Sequence, residues 1–252
     1  MGNPEQKEEA YFAARIRNLF ELCERTGAPK FSDFLSEEEA ARAAGIAGHG
    51  GLPFRFWGGY EGAGRVMLGV FPEWMEPETG AFPIVGCTFT YPAAYELTHR
   101  DFLGSLMGQQ LRRELIGDIV VTPGEAYVFA DDRVEKVLLT QMDRIGRVGV
   151  SVKKGVPDGI SVEQQYKEIS GTLASLRLDA AVALCCGVSR EKASALITGG
   201  LVQRNHLAAE NVSAALSDGD VLSIRGKGKF RLETDGSLTR KGRVAVRILQ
   251  YL

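Results

Sequence analysis

Apolar and polar positions alternate along the chain with periods that change from segment to segment. Within residues 5–25, Phe12, Ile16, Leu19, Phe20 and Cys23 fall on one stripe of a helix. Thr26, Gly27, Ala28 and Pro29 then stop it. Ser36 followed by Glu37, Glu38 and Glu39 predicts a capping box opening a second helix that runs to residue 44. The stretch 54–60 (FRFWGGY), the glycine-rich EGAGR and the apolar run 66–71 predict a β-hairpin. Proline-punctuated residues 72–83 are expected to form a linker, with a domain boundary near residue 78.

Residues 81–154 predict the order βαββαβ. FPIVGCTFTY is a strand, and 98–113 is a helix with Thr98 as cap and Asp101 three residues on. Strands at 118–121 and 126–130 flank the turn Thr122-Pro123-Gly124-Glu125. A helix at 131–143 carries Val134, Val137, Leu138 and Met142 on one face, and 147–152 is the last strand. This order resembles the split βαβ arrangement of ferredoxin-like and RRM folds. Polar residues 155–172 are expected to be a second linker. Beyond them, helices at 173–186 and after Ser189 precede strands starting at 201 and at 221–225, 230–233 and 243–249. The expected fold class is α+β, with a small N-terminal α/β domain at 1–78, an RRM-like middle domain at 79–156 and a C-terminal domain at 173–252.

Composition is that of a globular protein, with 44% hydrophobic and 25% charged residues and a net charge of −2. The balance is uneven along the chain. Residues 1–80 carry 8 basic and 13 acidic side chains, a net of −5; residues 81–154 carry 9 and 9; residues 155–252 carry 13 and 10, a net of +3. Between positions 225 and 247 stand 8 basic residues against Glu233 and Asp235, the footprint of a phosphate-binding surface or of a plain solvated cationic face.

Several functional classes find little support. The longest apolar stretches, such as 180–186, fall far short of the ~20 residues a bilayer requires, so no membrane partner is expected. The N-terminal residues are acidic and polar, unlike a secretory signal, and Gln6 breaks the myristoylation pattern. Cys23, Cys87, Cys185 and Cys186 form no CxxC pair, so a reducing, cytoplasmic location is expected. His49, His99 and His206 are scattered, and neither a metal site nor a cofactor is expected. His99-Arg100-Asp101 superficially matches a kinase catalytic loop, but the glycine loop and DFG are missing. Gly58 to Arg65 fails the GxGxxG spacing and precedes a strand.

The strongest signal lies in residues 177–231. It comprises Arg177-Leu178-Asp179, Ser189-Arg190-Glu191-Lys192, Arg204-Asn205, Gly219-Asp220 and Arg225-Gly226-Lys227-Gly228-Lys229-Phe230-Arg231. This pattern resembles the S4 (αL-type) RNA-binding domain. Two short helices and a basic hairpin would gather Arg177, Arg190, Lys192 and Arg204 toward RNA phosphates and 2′-hydroxyls, with Arg225, Lys227, Lys229 and Arg231 supporting. Ser189 as an N-cap would leave helix N–H groups facing an anion. Asp179 either orients an arginine, meets a 2′-OH or is an ordinary helix acid. Asn205 is either an RNA contact or a left-handed turn residue. Leu207 departs from the basic residue common there in S4 domains.

Upstream, FWGGYEGAGR (56–65), FPEW (71–74), ELTHRDFLGSLMG (96–108), GDIVV (117–121) and IGRVGV (145–150) occur in order. Together these strings resemble the YlmH-type S4-domain proteins over about residues 30–250. That resemblance implies a factor that binds the large ribosomal subunit carrying peptidyl-tRNA in ribosome-associated quality control, with Arg65, part of a family string, as a further RNA contact. Arg100, at a helix start, is free to meet RNA as well. With no catalytic motif the factor is expected to be non-catalytic and to dock on large-subunit rRNA, and with no sign of oligomerisation in the sequence it is expected to be a monomer. An accessory RNA-modifying enzyme and an adaptor in cell division or photosystem assembly are the alternatives. Phe89 with Tyr91, and Tyr127 with Phe129, each share a strand face. They could stack bases as an RRM does, although core packing or a protein contact is favoured because the RNP1 string is missing.

Overall fold

The computed structural model describes residues 4–160 and 166–251. The chain divides into two compact units, Met1–Val162 and Glu163–Leu252. No helix among the described residues is long and apolar enough to cross a membrane.

The first unit opens with helix α1, Pro4–Thr26, then strand β1, Lys30–Phe31, and helix α2, Glu37–Ala47. The α2 capping box forms as expected: Glu39 N–H donates to Ser36 Oγ at 3.2 Å, and Ser36 N–H donates to Glu39 Oε2 at 2.8 Å. Strands β2, Phe54–Trp57, and β3, Met67–Val70, form the expected hairpin, and β1 adds to its far side in the order β1-β3-β2. At two residues, β1 is too short for any periodicity to reveal it. Phe12, Ile16, Phe20 and Cys23 of α1 bury against Ala43, Ala47, Leu68 and Val70, which turns the sequence stripe into a core. Residues 72–83 are packed rather than loose. Phe71 and Phe82 on either side are buried with Phe34 and Met67 in one aromatic cluster.

Next come β4, Ile84–Thr90; α3, His99–Gly108; β5, Ile116–Thr122; β6, Glu125–Asp131; α4, Glu135–Gln141; the small hairpin of β7, Arg144–Ile145, with β8, Val148–Gly149; and β9, Ser151–Lys154. The four main strands lie antiparallel in the order β5-β6-β4-β9. Three expected elements change. The helix expected at 98–113 ends at Gly108, where Gln110 turns the chain at φ +61°, and Arg113–Leu115 form a separate 3-10 turn. The helix expected at 131–143 starts later, because the Asp131 side chain turns back to accept from Arg133 N–H (2.9 Å), leaving a 3-10 turn at Asp132–Val134. The strand expected at 147–152 is divided between β8 and β9, with Gly146 turning the β7–β8 hairpin at φ +58°. Helices α3 and α4 cover the face carrying Val85, Cys87, Phe89, Val128 and Ala130.

The second unit contains β10, Tyr166–Leu173; α5, Leu178–Cys186; α6, Arg190–Thr198; β11, Val202–Arg204; β12, Leu207–Ala208; β13, Val221–Ile224; β14, Gly228–Glu233; and β15, Val244–Tyr251. The sheet order is β10-β15-β14-β13-β11-β12. The linker expected at 155–172 is corrected: residues 166–173 pair with β15 over its full length, from Tyr166↔Tyr251 to Leu173↔Val244. Residues 161–165 lie outside the described residues. Phe230, Leu232, Val246 and Ile248 point to one side of this sheet and bury with Leu178, Ala181, Val182, Ala193 and Ile197 of the helices.

Candidate nucleic-acid interface

The sequence gives α5 no conventional cap. Arg177 occupies the N-cap position with extended backbone, and its side chain makes no cap hydrogen bond. Asp179, in the first turn, is buried, and its backbone N–H donates to the Val212 carbonyl (3.1 Å). Its carboxylate collects two guanidiniums. Arg177 Nε donates to Oδ1 at 3.1 Å and its Nη2 to Oδ2 at 3.3 Å; Arg190 Nε donates to Oδ2 at 3.2 Å, with Nη2 also in contact. Burial pushes this carboxyl up, but the hydrogen bonds and charges of Arg177 and Arg190 outweigh it and hold the group below its ordinary value. The arginine side chains themselves remain 40% and 57% exposed. One buried anion thus fixes two partly exposed cations, and a single positive charge is left over at the mouth. Of the readings open for Asp179, orienting arginines is the one its geometry satisfies.

Ser189 caps α6 as expected, but its Oγ already accepts from Lys192 N–H (3.3 Å), so that donor is not left for an anion. Lys192 itself is exposed. Arg243 stands near Arg190. It donates from Nε to Thr172 Oγ1 (2.9 Å) and from Nη2 to the Thr172 carbonyl (2.6 Å), and lines with Arg190, Leu173, Ala183 and Leu184 a groove of about 370 Å³. The sequence placed Arg243 in the basic run 225–247 without distinguishing it from its neighbours.

A second buried acid repeats the device. Asp220 accepts from Arg204 Nη2 at 2.7 Å, from Asn205 Nδ2 at 2.7 Å and from Ser217 N–H at 2.8 Å. Burial raises this carboxyl and its hydrogen bonds more than offset that, so it also lies low. Asn205 adopts φ +49° and accepts from Val221 N–H at 2.8 Å, which makes it the left-handed turn residue.

The remaining cations divide. Arg225 and Lys227 sit exposed in the turn between β13 and β14. Lys229 and Arg231 alternate with buried Phe230 and Leu232, so they lie on the sheet face opposite the helices. Lys229 Nζ stands 5.0 Å from the Tyr251 ring centroid, and Arg231 lies 3.9 Å from Glu233. The expected single cationic surface is therefore corrected: Lys229 and Arg231 do not join Arg177 and Arg190, because a strand sends successive side chains to opposite faces.

In the first unit, Arg100 is exposed at the start of α3. Arg65 is not available as expected. Its Nε donates to the Ile116 carbonyl (3.0 Å) and its Nη2 to the Phe34 carbonyl (3.1 Å), and burial lowers its pKa. Asp118 holds the same loop: it accepts from Tyr60 Oη (2.8 Å), Gly64 N–H (2.7 Å) and Arg65 N–H (3.1 Å). Tyr60 stacks on Phe129 with centroids 4.8 Å apart. Phe89 and Tyr91 bury under the helices. Phe129 is capped by Tyr60, and Tyr127 donates its hydroxyl to Glu125 Oε2 (2.9 Å). Of the two readings favoured for these aromatics, core packing and a protein contact, Phe89, Tyr91 and Phe129 adopt core packing. Among the described residues, no group of three or more His, Cys, Asp and Glu side chains is placed to hold a metal ion.

Residues 77–156 match a family profile described as "Putative RNA-binding domain in YlmH". Over 94% of its length the chain is 30% identical to the "Ribosome-associated protein quality control protein P2" of Bacillus subtilis, covering 93% of that protein. The chain belongs to the YlmH family. A solved YlmH structure, "Cell division protein ylmH from Streptococcus pneumoniae", shares the fold at a TM-score of 0.52 with 23% identity, over 62% of this chain and 94% of that one.

The YlmH strings that carried the resemblance serve one another structurally. FWGGYEGAGR supplies Tyr60, Gly64 and Arg65, and GDIVV supplies Asp118, which receives them. Sequence reasoning passed over Asp118; the one available signal was an acid opening an otherwise apolar strand. Within the same YlmH loop, Gly59 has φ +102°, and a Cβ there would lie 2.4 Å from Phe129 Cδ1. Gly59→Ala is expected to cost on the order of 2–4 kcal/mol, through backbone strain plus overpacking, read as a lower urea midpoint of the first unit.

Proposed function

We propose that this chain is a non-catalytic RNA-binding factor of the ribosome. Its C-terminal unit acts as an S4 domain on large-subunit rRNA and tRNA, and the protein holds peptidyl-tRNA during ribosome-associated quality control in the cytoplasm. The observation that carries this reading is the Arg177–Asp179–Arg190 clamp. It presents two preoriented guanidiniums, the geometry suited to bidentate phosphate recognition, at little ordering cost. The relative named as a quality-control protein supports the ribosomal setting. The docking surface comprises Arg177, Arg190, Lys192 and Arg243, with Arg225 and Lys227 at the hairpin end. Asp179 and Ser189 act as positioning residues, and Asp220 positions Arg204 in the same way. Residues 79–156, in an RRM-like role, add contacts through charge, Arg100 among them, rather than through base stacking. The factor works as a monomer and by position, keeping a tRNA in place for another protein to act on.

Co-sedimentation with purified large subunits tests this. Arg190→Gln is expected to lower the bound fraction about tenfold near physiological salt and to flatten the salt dependence by about one phosphate contact. The glutamine variant is preferable to a glutamate, which would place a second anion against Asp179. Equal sedimentation of variant and parent at low and high salt would remove the clamp from the interface. Separately, a new modified nucleoside after incubation with RNA would overturn the non-catalytic assignment.

A further inference from the structure

A large ring stands uncovered on the first unit. Trp74 is 78% exposed, the highest value among its large hydrophobic side chains. It does not hang on a loose segment. Phe71 and Phe82 on either side are buried, and neighbouring Met75 packs on their cluster. Met75 N–H donates to the Pro72 carbonyl (2.9 Å), and Arg55 Nη1 donates to the Pro77 carbonyl (3.1 Å). An indole fixed in water by a rigid base loses little entropy when something covers it, which is the condition for a binding anchor.

The charge around the indole selects what that something is. Glu73, Glu76 and Glu78 surround Trp74 in sequence and are exposed. No lysine or arginine occurs between Arg65 and Arg100, and Arg55 is the cation that reaches the loop. Three exposed carboxylates within four residues of the ring repel a polyanion, which disfavours nucleic acid. A cationic side chain gains from both features at once, lying over the indole face while its neighbours meet the glutamates.

We propose that the loop 72–78 docks a lysine- and arginine-rich segment of a partner protein, with a partner cation on the Trp74 ring and others against Glu73, Glu76 and Glu78. This goes beyond the RNA-binding reading and gives the first unit a protein-facing surface.

The test uses the full chain and a short peptide of repeated Arg-Lys-Gly. Trp74 emission is isolated as the difference between the parent and Trp74→Phe, since Trp57 is the other tryptophan. The free chain is expected to show a red-shifted, water-exposed Trp74 signal that the peptide changes saturably. A control peptide of Gln-Gln-Gly repeats should leave it unmoved. With affinity read from the anisotropy of a dye-labelled copy of the peptide, Trp74→Ala, and separately the triple change Glu73→Gln, Glu76→Gln and Glu78→Gln, should each weaken the peptide at least about tenfold while RNA binding by the same proteins stays as in the parent. Peptide affinity unaltered in Trp74→Ala overturns the proposal. So does an RNA oligonucleotide that perturbs Trp74 emission and competes with the peptide, which would make the loop a nucleic-acid contact. A blue-shifted signal deaf to the peptide also overturns it, because the ring would then be covered by this chain itself.

Discussion

Asp179→Ala is expected to lower the stability of the C-terminal unit by about 2–3 kcal/mol and to weaken RNA binding by tenfold or more. The stability loss comes from hydrogen bonds to a charged, buried acceptor, each worth more than a neutral one. It falls short of the penalty for a fully buried broken ion pair, because Arg177 and Arg190 are partly exposed and can rehydrate. The binding loss comes from the freed guanidiniums, which then have to be ordered by the RNA itself. Asp179→Asn separates the two effects. It keeps the shape and one acceptor oxygen but removes the charge, so stability should recover in part while the arginines stay poorly held. Urea unfolding and filter binding read these quantities; a folded Asp179→Asn protein with parental affinity would show that the clamp is not the contact. The same acid sets a pH dependence. Its folded pKa lies below the ordinary 3.8, so its stabilising contribution is fully present above that value and disappears as pH falls through the lower folded value. Asp220, shifted the same way, should lose its contribution in the same acid range.

Asp118→Ala should cost the first unit about 3 kcal/mol, because three donors lose one acceptor group. The damage extends to charge. Arg113 is already lowered to about 10, chiefly by burial and then by the nearby Arg65 guanidinium, and Asp118 is among the carboxylates that oppose this. Without it, two half-buried cations face each other with less compensation. Hydrogen exchange at residues 58–66 should accelerate together with the drop in urea midpoint. Unchanged exchange there would mean that the loop is held without Asp118, by the Tyr60–Phe129 stack and the Arg65 bonds to the Ile116 and Phe34 carbonyls.

Legibility in the sequence followed burial. The α1 stripe, both capping boxes and the β2–β3 hairpin were readable because each obeys one local period or one local hydrogen bond. The strand Tyr166–Leu173 was not. Its outward positions are polar, its inward ones include Gly171, and only Leu173 is buried, so it carries the composition of a spacer. What makes it a strand is pairing with β15, some eighty residues away, and no window of sequence contains that partner. The candidate site divides along the same line. The pattern names Arg177, Asp179 and Arg190, and an acid two residues after an arginine at a helix start allows Asp179 to orient it. That Arg65 turns inward, that Arg243 joins Arg190 and that Lys229 and Arg231 face away all depend on which side of a sheet or loop a residue occupies. Charge counting along a chain has no access to sidedness.

The stack of Tyr60 on Phe129 acts as a plug. A ring that could have told one nucleotide letter from another is already matched with a ring of its own chain. In the proposed role Phe129 is therefore no platform for a base, and a polymer on that side of the first unit would meet charge and contour at that ring instead.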